Sequence, residues 1–163
     1  MKQDLYFEAI FRAEFAPMVR EMYLITGSAE TARDAVADAF LELLRNWKRI
    51  RDYDKPGAWV RRVALRKAVK ETRRSRRHVT EQQPSVYEHD FGETTEGLRL
   101  ALLSLPPKQR AATVLRYYGD CSYEDIGSCL GCATSTARAH VSQARLRLEK
   151  FLTEQENDVD EVY

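Results

Sequence analysis

The chain has 163 residues, 44% of them hydrophobic and 31% charged, with 26 Lys and Arg against 25 Asp and Glu for a formal net charge of +1. That composition suits a soluble globular protein; no apolar run approaches the ~18 residues of a membrane span. Three cysteines, an odd number, argue against a disulfide framework, and the N-terminal MKQDLYFEAIF lacks a signal-peptide core, so a cytoplasmic protein with reduced thiols is expected.

The near-zero total conceals segregated charge. Residues 1–42 carry 4 bases and 8 acids, 43–78 carry 14 and 3, 79–97 carry none and 5, 98–150 carry 8 and 4, and 151–163 carry none and 5. A polyanion responds to local charge, so two basic blocks separated by an acidic one point to two nucleic-acid surfaces.

Taken in chain order, nearly every periodic segment reads as helix, which predicts an all-α protein: 4–25, 29–48, 56–77, 95–104, 107–118, 122–130 and 134–152. In 34-DAVADAFLELLRNW-47, Val36, Phe40, Leu43, Leu44 and Trp47 form the predicted core face, while Asp34, Asp38, Leu41 and Arg45 line the opposite side. Such a stripe is commonly a solvated face; the leucine among charges hints at docking. Pro56 and Gly57 then open a helix on which Trp59, Arg62, Arg66, Lys70 and Arg73 share one stripe, with Val60, Ala64 and Ala68 turned to the core. Cations of one sign along a helix repel one another. A polyanion reverses that cost, and Tyr53 and Trp59 could stack on bases. Residues 78–95 are polar, acidic and aperiodic, and read as a flexible linker; 153–163 reads as a disordered acidic tail. Two small helical domains result, 1–77 and 96–152.

In 122-SYEDIGSCLGCATSTARAHVSQARLRLEK-150, a short helix with Ile126, Cys129 and Leu130 inward is stopped by Gly131. A longer helix follows, its inner face Ala137, Val141, Ala144 and Leu148 and its outer face Ser135, Arg138, Ala139, Ser142 and Gln143. This is a helix-turn-helix pattern, and Arg and Gln are side chains that read guanine and adenine in the major groove. Cys121, Cys129, Cys132 and His140 supply four potential zinc ligands, but their C-x7-C-x2-C-x7-H spacing matches no common zinc pattern, so neither metal nor cofactor is expected.

Together, 23-YLITGSAETARDAVADAFLELLRNW-47, 58-AWVRRVA-64 and the LPPKQR and SYEDIG phrases within 101–148 resemble bacterial sigma-70-family initiation factors of the extracytoplasmic-function (ECF) type. The resemblance implies that 1–77 is region 2, a helical bundle, and 96–152 region 4. It implies that Asp34, Asp38, Leu41 and Arg45 dock on the β′ clamp helices of core RNA polymerase, and that the β flap is a further contact. Tyr53, Trp59, Arg62, Arg66, Lys67 and Lys70 would recognise and open the −10 element. Arg116, Ser135, Thr136, Arg138, Ala139, Ser142 and Gln143 would bind the −35 duplex. The linker would thread polymerase channels, and an anti-sigma factor is an implied partner. The sequence departs from the family pattern at Ala37, Arg66, Lys70, His140 and Gln143, where Gln, Asn, Asp and two basic residues are usual. An alternative reading is a polymerase-independent helix-turn-helix regulator, which accounts for 98–150 but not for the basic helix or the Asp34/Asp38 stripe. Catalysis is not expected: the chain has no Gly-rich phosphate loop, metal-ligand motif or convincing nucleophile–base pair.

Overall fold

The computed structural model describes residues 2–77 and 93–160, all of its regular elements being helices. The chain divides into two compact units, Met1–Asp90 and Phe91–Tyr163. The break falls inside the expected linker; residues 78–92 of that linker lie outside the described residues, and its last three belong to a helix that begins at Glu93.

The first unit contains α1 (Lys2–Thr26), α2 (Ala29–Arg45), the single turn α3 (Trp47–Ile50) and α4 (Pro56–Arg77). Gly27, at φ +75°, stops α1 in the left-handed conformation that suits a residue without Cβ. Ser28 then caps α2, its hydroxyl accepting from the Thr31 N–H at 3.2 Å. The predicted helix over 29–48 is broken at Asn46, whose side-chain amide donates to the Glu42 carbonyl at 2.9 Å, so Trp47 starts a new turn. Asn competes for backbone carbonyls and favours such caps. Ala32 and Ala39 on α2 and Ala64 and Ala68 on α4 are all fully buried, and their small size lets the two helices approach closely. Met18, Met22, Val36, Leu43 and Val60 fill the space between them. At the other end of α2, Phe7, Phe11 and Phe15 pack edge-on or tilted against Phe40, and Phe7 and Tyr6 against Trp47.

One buried charge needed a partner. The Glu21 side chain is 2% exposed and receives Arg61 Nε at 2.9 Å and Nη2 at 3.3 Å, with Glu14 3.5 Å from the same guanidinium. This ties α1 to α4. Removing Arg61 would strand the buried Glu21 charge, at about 3–5 kcal/mol, whereas removing Glu21 leaves Arg61 with Glu14.

The second unit contains α5 (Glu93–Leu103), α6 (Pro107–Tyr117), α7 (Tyr123–Leu130) and α8 (Thr134–Asp160). Its core is Leu102, Leu105, Ala112, Leu115, Ile126, Ala137, Val141 and Ala144. The LPPKQR phrase has a structural meaning here. Pro107 starts α6, where its missing N–H costs nothing. Buried Arg110 turns back and donates to the carbonyls of Leu102, Leu103 and Leu105 at 2.9–3.3 Å. Arg110 thereby satisfies the Leu103 and Leu105 carbonyls at and just beyond the end of α5, and adds a second bond to the Leu102 carbonyl, which already accepts from the Leu105 N–H at 3.1 Å.

Two expectations are corrected. Leu44, predicted as core, is 55% exposed: Phe40, Leu43 and Trp47 occupy the buried arc at that end of α2, and Leu44 falls outside it. The predicted helix end at 152 and disordered tail from 153 also give way, since α8 runs on to Asp160. Residues 151–160 lack Gly and Pro. Lys150 stands 3.8 Å from Glu154, and the Thr153 hydroxyl donates to the Glu149 carbonyl, so the turn is supported at its surface.

Candidate nucleic-acid interface

Three surfaces carry the residues singled out in the sequence. On α2, Asp34, Asp38, Leu41 and Arg45 are all exposed. Leu44 belongs with them: it lies three residues beyond Leu41, one turn along the same face, and the two leucines are 48% and 55% exposed. Two large apolar side chains side by side among charges make a small exposed apolar patch rather than an isolated exposed leucine. The sequence pattern missed this because Leu44 sits at the edge of the apolar arc, where periodicity alone cannot assign it to either side.

The second surface joins the loop 51–55 to α4. Ile50 and Pro56 are buried and pin the loop at both ends, while Tyr53 between them is 44% exposed. Along α4, Arg62, Arg66, Lys70 and Arg73 are exposed and make no ion pair among the described residues. Val60, Ala64 and Ala68 lie fully buried on the opposite side. Trp59 is half-buried at the stripe's start. Lys67 is set apart from the stripe: its ammonium is 2.7 Å from Glu42 of α2, which offsets its charge locally. The lone cationic face therefore comprises Arg62, Arg66, Lys70 and Arg73, with Tyr53 and Trp59 as the aromatic members at its N-terminal end.

The third surface is the helix-turn-helix. Ser122 caps α7, accepting from the Asp125 N–H at 3.1 Å, and Gly131 at φ +68° ends it. A Cβ placed on Gly127 would stand 2.7 Å from the Cys132 carbonyl oxygen, so the turn folds directly over that glycine. Ala137, Val141 and Ala144 of α8 are buried, which turns Ser135, Thr136, Arg138, Ala139, Ser142 and Gln143 to the surface. Every predicted side chain of α8 is thus exposed on one helix.

Two of these groups are held by side chains that the sequence reading passed over. Arg138 lies over the Tyr123 ring, its guanidinium carbon 4.8 Å from the centroid, and Arg116 lies 4.4 Å from the same ring while donating to the Cys121 carbonyl at 3.0 Å. Tyr123 therefore gathers two cations at the mouth of α7. Gln143 accepts a hydrogen bond from Gln109 of α6 at 3.1 Å. Only the aromatic in the SYEDIG phrase could have hinted at the first of these; nothing local announces the second, which spans 34 positions.

The cysteines stand apart from this chemistry. None is in a disulfide; Cys121 is buried with its thiol 3.6 Å from the Gly119 carbonyl, and Cys129, predicted as core, is only half-buried, as is Cys132 in the turn. Among the described residues no three His, Cys, Asp or Glu side chains are grouped to hold a metal ion. No described helix is long and apolar enough to cross a membrane.

The sigma-70 region 2 family model matches residues 10–78 and the sigma-70 region 4 model residues 95–148, so two models of one family together span most of the chain. The sequence is 29% identical over 150 residues to the ECF RNA polymerase sigma factor SigM of Mycobacterium tuberculosis, covering 90% of this chain and 76% of that one. It is 26% identical over 168 residues to the RNA polymerase sigma factor YlaC of Bacillus subtilis, covering 94% and 95%. The fold is similar to that of the sigma factor RpoE in its complex with the anti-sigma factor NepR from Bartonella quintana, with TM-score 0.75, 22% identity and coverage of 90% and 96%. The domain pattern, the helix-turn-helix and these matches agree, and the chain belongs to the sigma-70 family of RNA polymerase sigma factors, in its extracytoplasmic-function branch.

Proposed function

We propose that this chain binds core RNA polymerase and directs it to promoters by reading the −35 element as duplex and opening the −10 element. The observation that carries the reading is the joint presence of three different exposed surfaces in one family member: the Leu41/Leu44 patch flanked by Asp34, Asp38 and Arg45, the cationic stripe of α4, and α8. A duplex-only regulator would use the third alone.

Each surface has a distinct physical task. The α2 patch combines apolar area with acids, a composition suited to a protein partner, here the polymerase clamp. Arg62, Arg66 and Lys70 neutralise phosphates and release counterions, giving affinity without sequence information. Tyr53 and Trp59 offer stacking surfaces to bases that have left the duplex, and that stacking favours the open form over the closed one. The exposed side chains of α8 meet base edges and phosphates in the major groove, with Arg116 on the backbone. The chain carries no catalysis of its own; phosphodiester chemistry stays with polymerase. An anti-sigma factor is proposed as a further partner, by analogy with the Bartonella complex.

Run-off transcription with purified core polymerase, with and without this protein, tests the proposal. Promoter-dependent product only in its presence is expected. Asp38→Arg is expected to reduce product to the level of core alone while leaving the circular dichroism of the free protein unchanged. Core binding at wild-type affinity by this variant would remove the α2 patch from the proposal, and absence of any polymerase-dependent opening by the native chain would remove the proposal itself.

A further inference from the structure

Gln109 sits in the LPPKQR phrase on α6, is 8% exposed, and makes a side-chain bond across to the surface of α8: its Nε2 donates to Gln143 Oε1 at 3.1 Å. The other end of the same carboxamide, Oε1, is buried with no hydrogen-bond partner. That asymmetry fixes the direction of the pair. Turning Gln109 over would bury an NH2 group in place of one carbonyl, leaving two donors unsatisfied where there is now a single acceptor. Gln109 therefore presents a donor to α8, and the carbonyl of Gln143 is drawn inward to meet it. The NH2 of Gln143 makes no hydrogen bond among the described residues and belongs to an exposed side chain.

We propose that Gln109 is a positioning residue that sets the hydrogen-bonding polarity of Gln143, so that Gln143 meets the −35 element as a donor and selects an edge of acceptors alone, guanine N7/O6 or thymine O4, over adenine, whose N6–H2 donor beside N7 it leaves unmatched. The proposal rests on the reading of α8 as the helix that enters the major groove. A free glutamine reads adenine with both ends at once, accepting from N6–H and donating to N7. Here one lone pair of the carbonyl is taken by α6 and the group is directed towards Gln109; turning it squarely to adenine N6–H means releasing Gln109 and leaving a second buried end of that carboxamide without a partner. The competing interpretation is a simple strut between α6 and α8. A strut predicts that loss of Gln109 weakens binding equally on all sequences; a polarity device predicts a change confined to one base pair.

Selection of −35 sequences by holoenzyme, from a promoter library randomised across that element, separates the two. The native chain is expected to prefer guanine or thymine at the base pair whose preference vanishes in Gln143→Ala. Gln109→Leu is expected to shift that one position towards adenine by about tenfold. Gln109→Glu, read at a pH high enough to ionise the buried carboxyl, carries the decisive outcome: a carboxylate only accepts, so it draws in the NH2 of Gln143, turns the carbonyl outward and inverts the preference towards the donors of adenine and cytosine. Thermal melting of each variant establishes that it is folded, and Gln109→Glu, isosteric with the native side chain, remains informative if Gln109→Leu is not. Adenine preference in the native chain, or a Gln143-dependent position unmoved by Gln109→Glu, overturns the polarity device and leaves α8 as the reading helix. No position dependent on Gln143 at all overturns its place in the groove, and this proposal with it.

Discussion

The α4 stripe and the outer face of α8 are both exposed and both polar, yet their side chains are prepared in opposite ways. On α4, Arg62, Arg66, Lys70 and Arg73 have no ion pair among the described residues and nothing fixes their ends. On α8, Arg138 is laid on Tyr123 and Gln143 is bonded to Gln109. Loose cations suit a single strand, whose backbone has no fixed geometry and whose affinity derives from charge. Held side chains suit a duplex groove, where discrimination depends on placing donors and acceptors against a fixed pattern and where ordering them beforehand lowers the cost of binding. Under the proposed function, the two helices divide affinity from specificity.

The comparison is broken most severely by removing charge from α4. Arg62→Ala, Arg66→Ala and Lys70→Ala combined are expected to weaken binding of −10 single strand to holoenzyme on the order of a hundredfold, and to flatten the log–log salt dependence by about two units, uniformly across sequences. Fluorescence titration at several salt concentrations reads both numbers; an effect limited to one base would give α4 a reading role and erase the division. Arg138→Ala comes next, with about tenfold lower −35 affinity and relaxed preference at one base pair. A loss identical on all sequences would make Arg138 a phosphate contact like those proposed for α4. The smallest effect is expected from Tyr123→Leu, which removes the ring beneath Arg116 and Arg138 but leaves both charges. About two- to fivefold weaker −35 binding corresponds to one exposed cation–π contact. Competition binding against native protein resolves a change of that size, and no change at all would mean that Arg138 needs no platform.

Sequence pattern reached the two helical units, the stripe on α4 and the outward set on α8, because each depends on spacing within one helix. Trp59, Arg62, Arg66 and Lys70 lie three or four apart, and such neighbours share a face whatever the rest of the fold does. The pattern failed where tertiary contact decides. Asn46 broke a helix that hydrophobic periodicity ran straight through, because a cap is a local hydrogen bond and not a matter of polarity. Leu44 moved from core to surface because the buried arc at its end of α2 is already filled by Phe40, Leu43 and Trp47. Gln109–Gln143 and Glu21–Arg61 join residues 34 and 40 positions apart, and no single helix contains the information that they meet. Arg110 is intermediate. Its phrase was recognisable, but its task of closing the end of α5 became visible only with the three carbonyls in place.

The glycine beneath the turn has a consequence for retargeting. With the Cys132 carbonyl only 2.7 Å from where a Cβ would sit on Gly127, the angle between α7 and α8 is set from the inside of the bend and owes nothing to the outer face. Ser135, Ala139 and Ser142 are thereby separable from the scaffold, whereas Arg138 and Gln143 are tied to it through Tyr123 and Gln109. Under the proposed function, a library that rewrites the promoter code randomises these five positions together with Tyr123 and Gln109, and the residue it holds constant in the preceding helix is the smallest one there.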